Sequence, residues 1–258
     1  MWIDSHCHLD FFPVPTIKKV LKSARKSQIS NIIVPSVSPA NLSRVLDLAG
    51  QDTTLSYALG FHPMYIDEID DVGLFKLSDF VKNSSPVAIG EIGIDLFVKK
   101  DNIDKQEHFL VWQLKLAIDY DLPVILHTRN AVDVVLKNLR RYRVRGGIAH
   151  AFNGSIQQAY QFIDLGFKLG FGGAMTYPRA KHIQRLAKEL PIDSIVLETD
   201  SPDMPPFWLE RGQQNQPKEL EKIGIFLAQL RGLDPYKMAK MISNNTFNVL
   251  PRIDKLYT

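Results

Sequence analysis

Two patterns of apolar and polar positions alternate along the chain, one typical of strands and one typical of helices. Short runs rich in β-branched and other apolar residues recur along the sequence, and several are apolar almost throughout, which is typical of strands covered on both faces. The runs that predict strands are residues 2–6, 31–35, 56–60, 87–90, 124–127, 147–150, 167–170 and 194–198.

Longer amphipathic stretches separate these runs. Within residues 17–27 apolar side chains fall at 17, 20, 21 and 24, and within 105–120 Phe109, Trp112 and Leu116 form one stripe. Further helices are predicted at 40–50, 74–82, 131–141, 156–164, 180–189, 217–231 and 235–243. Eight strands interleaved with helices predict an α/β fold, a TIM-type (β/α)8 barrel, with a doubly wound open sheet as the alternative.

Composition and charge narrow the classes of protein that remain. The chain has 258 residues, 45% apolar and 23% charged, which is an ordinary globular balance without low-complexity sequence. No linker rich in Pro, Gly or Ser interrupts it, so we expect one domain over residues 1–258. The net charge of +3 permits a polyanionic substrate without requiring one. The densest basic stretch, residues 140–145, is interpreted as a solvated helix end.

The expected location follows from cysteine content and from the absence of targeting signals. Cys7 is the single cysteine, so an intrachain disulfide is impossible, which fits a reducing compartment. The first residues show no secretory pattern, and no apolar run is long enough to span a bilayer. We therefore expect a cytoplasmic protein without membrane association or an obligate protein partner.

Potential metal ligands gather at the ends of the predicted strands. Five of the seven histidines lie there, and two carboxylates occupy similar positions. In a barrel of parallel strands these ends converge on one rim, which is where barrel enzymes place their active sites. The residues concerned are His6, His8, His62, Glu91, His127, His150 and Asp200.

The segment around Cys7 is the sharpest local signal. Because side chains alternate along a strand, His6 and His8 point one way and Cys7 the other. Two imidazoles facing a barrel mouth are good metal ligands, whereas Cys7 is expected to pack as a small residue away from the metals. Asp4 shares the face of His6 and either orients an imidazole or binds the backbone at the strand start.

Carboxylates after the fourth and eighth strands are the candidate catalytic residues. Glu91 has two oxygens that can bridge two cations, and Asp200 can hold a metal and accept a proton from an attacking water. Glu198 lies one step deeper on the same face and is expected to support the ligands. Asp95 is a weaker candidate for a supporting or substrate contact. Arg129 shares a face with His127 and can meet an anionic group or serve in an ion pair or helix cap.

Five segments together resemble the TatD-type metal-dependent deoxyribonucleases, in particular their YjjV-like branch. The motifs occur in order over nearly the whole chain, and their joint occurrence is more specific than any one of them. They are residues 3–10 (IDSHCHLD), 60–63 (GFHP), 90–95 (GEIGID), 123–129 (PVILHTR) and 197–202 (LETDSP).

This resemblance implies an amidohydrolase-like barrel that hydrolyses DNA phosphodiester bonds with two divalent metal ions. It implies that His62 faces the substrate and that Asn215, in the loop before the last barrel helix, contacts it. That loop departs from the family at residues 211–214, which leaves the substrate open. The metal ligands that the resemblance implies are His6, His8, Glu91, His127, His150 and Asp200.

Alternatives remain open at this point. The same scaffold can hydrolyse an amide, an ester, a lactone or an aminoacyl ester, because an activated water also attacks carbonyls. A glutamate rather than a modified lysine at strand four favours the phosphodiesterase. A metal-stabilised barrel that binds nucleic acid without catalysis is the second alternative. Imidazoles suit Zn²⁺ or Mn²⁺ better than Mg²⁺, although the family is discussed as Mg²⁺-dependent. Without a long basic groove, single-stranded DNA or short ends are the expected partner.

Overall fold

The computed structural model describes residues 1–98 and 100–253, so residue 99 and the last five residues of the predicted domain lie outside it. Eight strands account for the apolar runs of the sequence. They are β1 (Trp2–Asp4), β2 (Ile29–Pro35), β3 (Leu55–Leu59), β4 (Ala88–Asp95), β5 (Val124–Arg129), β6 (Gly147–Ala149), β7 (Phe167–Phe171) and β8 (Ile195–Leu197).

Helices follow the strands and cover the outside of the sheet. Within the described residues, no helix is both long and apolar enough to cross a membrane. The helices are α1 (Val14–Lys26), α2 (Leu42–Gln51), α3 (Asp71–Asn83), α4 (Ile103–Asp119), α5 (Val132–Arg141), α6 (Ile156–Asp164), α7 (Lys181–Glu189), α8 (Leu220–Arg231) and α9 (Pro235–Val249).

The strands form one parallel sheet in which sequence order is also spatial order, from β1 through β8. The sheet curls until its edges meet: the Ser5 N–H donates to the Leu197 carbonyl at 3.0 Å, and the Asp200 N–H donates to the His6 carbonyl at 2.9 Å. The predicted (β/α)8 barrel is confirmed, and the open doubly wound sheet is excluded. The second of these closing bonds also holds two of the expected metal ligands side by side.

Two strands differ from prediction in ways that matter for the site. β1 ends at Asp4, so His6 and His8 lie in the loop that follows it rather than on the strand. β4 does not stop at Gly90 but continues through Glu91 to Asp95, where it pairs with Arg129 of β5. The extension is buried throughout, so its backbone groups must be satisfied by the neighbouring strand.

Apolar side chains fill both the interface between sheet and helices and the lower barrel interior. The interior layer takes at least one residue from most strands and is closed below by the end of α9. Its main members are Ile3, Ile33, Ala58, Ala88, Ile125, Ile148, Val196, Phe247 and Leu250. Because this layer occupies the N-terminal end of the barrel, polar side chains gather at the opposite end.

Candidate metal centre

Seven ionisable side chains from six βα units meet at the C-terminal end of the barrel. Five of them are buried and the other two, His127 and Asp200, are partly buried, although polar groups are rarely enclosed without a partner. They are the residues expected from the strand ends, namely His6, His8, His62, Glu91, His127, His150 and Asp200.

Glu91 lies at the middle of this cluster and is only 1% exposed. Its Oε2 atom is 3.2 Å from His6 Nε2 and 3.4 Å from His8 Nε2. Its Oε1 atom is 3.1 Å from His127 Nδ1 and 3.3 Å from His150 Nε2. Each carboxylate oxygen therefore faces its own pair of imidazole nitrogens.

One further residue joins each side of Glu91. Asp200 Oδ1 is 3.6 Å from the Nε2 atoms of both His6 and His8, which adds a carboxylate beside Oε2. His62 Nε2 is 3.5 Å from Glu91 Oε1 and so stands beside His127 on the other side. The family resemblance predicts that His62 faces the substrate, and in the structure its ring nitrogen approaches the same carboxylate oxygen as His127 and His150.

The backbone at Asp200 is held in the left-handed region, with φ of 52°. This conformation is unfavourable for a residue with a side chain, costing on the order of 1 kcal/mol, and such positions concentrate at functional sites. Here Asp200 lies three residues after the last residue of β8, and its carboxylate is turned towards His6 and His8.

The spacing of these atoms fits divalent cations. Ligand atoms around a tetrahedral cation with bonds of about 2.1 Å lie about 3.4 Å apart. Among the described residues, three groups bring their ligand atoms within 4.8 Å of one another. Imidazole nitrogens and carboxylate oxygens are also the donors that Zn²⁺ and Mn²⁺ accept. The groups are His6, Glu91 and His150; His6, His8 and Asp200; and His62, Glu91 and His127.

Electrostatics keep the central carboxylate ionised. Burial alone would raise the pKa of Glu91, but the neighbouring His6, His62 and His150 outweigh it and hold that pKa well below its ordinary value. For His150 burial disfavours charge, yet Glu91 and Glu198 prevail and raise its pKa to about 10. Burial lowers the pKa of His62 to about 3. An ionised glutamate is the form that a metal ligand requires.

Glu198 and Asp95 contact the second nitrogen of two imidazoles. Glu198 Oε1 accepts from the Ala151 N–H at 2.6 Å and lies 3.3 Å from His150 Nδ1. Asp95 Oδ2 is 3.0 Å from His127 Nε2. Carboxylates in such positions fix the tautomer and orientation of a ligating histidine. Because side chains alternate along a strand, Asp95 shares a face of β4 with Glu91. This alternation is the sequence signal for Asp95 as a supporting residue.

Comparisons with known proteins assign the chain to a family. The family model described as TatD related DNase matches residues 3–251. The chain belongs to the TatD family. Relatives include YjjV of Escherichia coli K12, described as an uncharacterized metal-dependent hydrolase, which is 40% identical over 252 residues covering 96% of this chain and 97% of that protein. An uncharacterized metal-dependent hydrolase of Haemophilus influenzae is 34% identical over 253 residues, covering 94% and 96% of the two chains.

Solved structures place the fold in the same family. The crystal structure of Escherichia coli YjjV, a TatD homologue, matches with a TM-score of 0.93 over 97% of this chain and 98% of that one, at 40% identity. A TatD family hydrolase from Entamoeba histolytica matches with a TM-score of 0.85 at 19% identity, covering 96% and 97% of the two chains. The present TatD protein is therefore a metal-dependent hydrolase, and its resemblance to the family is confirmed.

Asp4 has the second of its two predicted roles. It accepts hydrogen bonds from the Thr199 N–H at 2.9 Å, the Thr199 hydroxyl at 2.6 Å and the His6 N–H at 3.4 Å. Complete burial raises its pKa to about 8. Asp4 thus ties the segment before Asp200 to the segment before His6 and binds backbone rather than an imidazole. Thr199, between two carboxylates, is the partner that sequence reasoning missed.

Asn215 requires a correction. The resemblance implied a substrate contact, but this side chain is 0% exposed in the TatD protein. Its amide donates to the carbonyls of Thr199 at 2.8 Å and Asp203 at 2.7 Å, and its oxygen accepts from the Gln216 N–H at 2.9 Å. With its hydrogen-bonding groups engaged by backbone, Asn215 holds the loop after β8 in place.

Arg129 and Cys7 differ in exposure. Arg129 is exposed, and its guanidinium carbon sits 3.9 Å from the ring centroid of Phe97, an aromatic that sequence reasoning missed. Cys7 is fully buried, with Sγ 3.1 Å from Ser201 Oγ, as expected of a packed residue. Arg129 borders a cleft of about 1110 Å³ that also reaches His127, His150 and Asp200.

Proposed function

We propose that this TatD protein hydrolyses phosphodiester bonds in DNA with a pair of divalent metal ions. The observation that carries the proposal is that the two carboxylate oxygens of Glu91 face different sets of nitrogen donors. A carboxylate placed in this way suits a bridge between two cations about 3.5–4 Å apart, the spacing of two-metal phosphodiesterases.

The residues divide between the two proposed metal positions. His6, His8 and Asp200 accompany Glu91 Oε2, whereas His127 and His150 accompany Glu91 Oε1. A divalent pair bound there would lower the pKa of water towards neutrality and stabilise charge that develops on phosphate oxygens. Mn²⁺ and Zn²⁺ match the nitrogen-rich donors, and Mg²⁺ is the third candidate.

Asp200 is the proposed proton acceptor. Burial raises the pKa of Asp200 even though three neighbouring imidazoles oppose the rise. Its side chain keeps 14% exposure and borders the large cleft, where an attacking water and a substrate can both reach it. Asp200 therefore has the access to water and substrate that a general base requires.

Arg129 favours a phosphodiester over a carbonyl substrate. Its guanidinium rests on Phe97 at the edge of the cleft that contains Asp200, so it is positioned by stacking. Within residues 1–98 and 100–253 its side chain makes no hydrogen bond or ion pair, which leaves its donors for an anion. A phosphodiester brings a negative charge that this cation compensates, whereas a neutral amide or ester does not. Glu91, in place of a modified lysine, supports the same choice.

Single-stranded DNA or short ends are the proposed partner, in the cytoplasm. The metal-centre residues His127, His150 and Asp200 line a cleft that a flexible strand can enter more readily than a rigid duplex. The single, buried cysteine fits a reducing compartment.

The decisive experiment is hydrolysis of a labelled single-stranded oligonucleotide by metal-reconstituted protein, beside a panel of ester, lactone and amide substrates. Metal-dependent shortening that is lost in Asp200→Asn and reduced in Arg129→Gln is the expected result. Arg185→Gln, an exposed arginine on α7, is the matched control and should keep activity. Turnover of a carbonyl substrate with an inert oligonucleotide would establish the other hydrolase, and binding without any turnover would establish a non-catalytic barrel.

A further inference from the structure

A second, smaller cleft lies beside the metal centre, on the side formed by the loops after β1, β2 and β3. Its volume is about 290 Å³, and its wall includes Asp10, Phe11, Asn41, Arg44 and Tyr65. We call it the Phe11–Tyr65 cleft. It does not share these residues with the large cleft at Arg129, and none of them has a role in the metal centre described above.

Two aromatic rings form the apolar part of the Phe11–Tyr65 cleft. Phe11 ends a 3₁₀ turn after β1, and Tyr65 ends a corresponding turn after β3. Their exposed fractions are 42% and 46%. Phe11 stacks on His8 with ring centroids 5.0 Å apart and an interplanar angle of 15°, and Tyr65 meets His62 edge-on at 6.0 Å. The exposed rings thus lie one layer outside imidazoles that face Glu91.

Exposed aromatic rings are concentrated at this end of the barrel. Among residues 1–98 and 100–253, eight Phe and Tyr side chains are exposed, and five of them lie in segments that follow strands. Exposed aromatic faces of this kind are what unpaired bases stack on. The five are Phe11, Tyr65, Phe97, Tyr177 and Phe207.

A buried acceptor forms the polar part of the cleft. Asp10 is only 2% exposed, and its Oδ2 accepts a hydrogen bond from Asn41 Nδ2 at 2.8 Å. Its Oδ1 atom is buried without a hydrogen-bond partner among the described residues. An unpaired buried acceptor costs roughly 1–3 kcal/mol, so it marks a position where a donor from a ligand is favourable. Arg44, which donates to the Phe12 carbonyl at 2.7 Å, adds positive charge at the edge.

We propose that the Phe11–Tyr65 cleft is a base-binding subsite for the nucleotide next to the bond that is hydrolysed. The base stacks against Phe11 or Tyr65, and one of its N–H groups donates to Asp10 Oδ1. A planar ring that carries N–H donors satisfies both the aromatic wall and the unpaired carboxylate oxygen, which an aliphatic group does not. The inference rests on the proposed nuclease function and adds to it a recognition element on the side of the metal centre opposite Arg129.

The experiment compares two ligands that share a phosphate and differ only in the base. Titration calorimetry on metal-loaded protein measures the Kd of deoxyadenosine monophosphate and of 2-deoxyribose 5-phosphate. Base stacking tightens binding by about tenfold or more, so the wild-type protein should prefer the nucleotide by roughly that ratio. Because both ligands carry the phosphate, the ratio isolates the base from the metal centre.

Variants assign this preference to the cleft. Phe11→Leu and Tyr65→Leu keep an apolar side chain but remove a flat ring, and at least one of them should bring the ratio close to one. Phe75→Leu, an exposed phenylalanine on α3, is the matched control and should keep the wild-type ratio. Metal content is measured in each variant, since Phe11 touches His8; a role in orienting His8 alone would weaken both ligands equally and leave the ratio unchanged.

The outcomes distinguish a failure of the subsite proposal from a failure of the nuclease proposal. Equal affinity of the two ligands for the wild-type protein would overturn the subsite while the nuclease proposal stands. Loss of the ratio in Phe97→Leu, with Phe11→Leu and Tyr65→Leu unchanged, would move base binding to the Arg129 cleft and also overturn it. Failure of both phosphates to bind would count against both proposals.

Discussion

The N-terminal and C-terminal ends of the barrel enclose different kinds of side chain. At the N-terminal end, aliphatic side chains such as Ile33, Ile125 and Ile148 fill the interior, and Phe247 of α9 closes it. At the C-terminal end, histidines and carboxylates are enclosed with their ligand atoms only 3.1–3.6 Å apart. The first arrangement buries apolar surface and stabilises the fold, whereas the second places groups together that a stable core would exclude.

Strained backbone conformations are also concentrated at the C-terminal end of the barrel. Four of the six non-glycine residues with positive φ among the described residues lie in the segments that follow strands. Local strain of this kind persists only where surrounding structure supports it. The apolar end therefore stabilises the fold, whereas the polar end holds strained and charged groups that the surrounding structure must support. The four are Asn130, Ala151, Asp200 and Met204.

The largest expected effect comes from Glu91→Gln at the polar end. A glutamine keeps one oxygen but replaces the other with an amide nitrogen, which has no lone pair for a cation. We expect loss of bound metal and a fall in activity of roughly 10³-fold or more, because the nucleophile and the charge stabilisation are lost together. Metal analysis and initial rates measure both, and a metal-replete, active variant would contradict the bridging role.

The matching change at the apolar end is Ile148→Ala. Ile148 is fully buried within the barrel, so the cavity should lower the free energy of unfolding by about 2–5 kcal/mol. Metal affinity should stay the same, since the side chain is not part of the metal centre. Denaturant unfolding gives the first quantity, with Ile148→Val as a control costing about 0.5–1.5 kcal/mol. A loss of metal without a loss of stability would contradict the claim that the apolar end stabilises the fold and takes no part in metal binding.

Removing metal from the wild-type protein should also lower its stability. A cation that binds only the folded chain stabilises it by about 2.7 kcal/mol when present at about 100 times its Kd. A chelator should therefore lower the melting temperature of the wild type and leave that of Glu91→Gln unchanged. Calorimetric melting with and without chelator tests this, and equal shifts in both proteins would mean that the cation acts elsewhere.

The smallest expected effect is that of Glu198→Gln. Glu198 contacts His150 Nδ1 but is separated from Glu91 by that imidazole, so its charge acts on the metal only through the ring. Loss of such a partner weakens metal binding by about 10–100-fold. Competition with a chelating dye measures the change, and an affinity equal to wild type would show that Glu198 serves only the Ala151 backbone.

Sequence patterns predicted the fold and the membership of the metal centre better than the contacts around it. Apolar runs and strand-end histidines are local signals, and convergence at the rim follows from parallel strands. The extent of β4 could not be predicted from the sequence, because residues 91–95 combine glycines and carboxylates, which are untypical of a strand. This segment is a strand because it pairs with β5. Similarly, α9 extends beyond residue 243 because Asn245 donates to the Ile192 and Ile195 carbonyls.

Supporting residues depend on partners far away in the sequence. Asp4 binds Thr199 and Asn215 binds Asp203, and neither pairing leaves a trace in local periodicity. Asn215 shows the limit of resemblance as well, since a polar residue in a functional loop can hold that loop instead of meeting substrate. Its amide is enclosed by the backbone of the loop, which only the folded chain reveals.

The most direct test of the account is the anomalous scattering from crystals of the Mn²⁺-loaded protein. We predict two peaks about 3.5–4 Å apart with Glu91 between them. One peak should lie against His6, His8 and Asp200, and the other against His127 and His150. A single peak, or a pair of peaks that Glu91 does not bridge, would contradict the two-metal arrangement on which the proposed function rests.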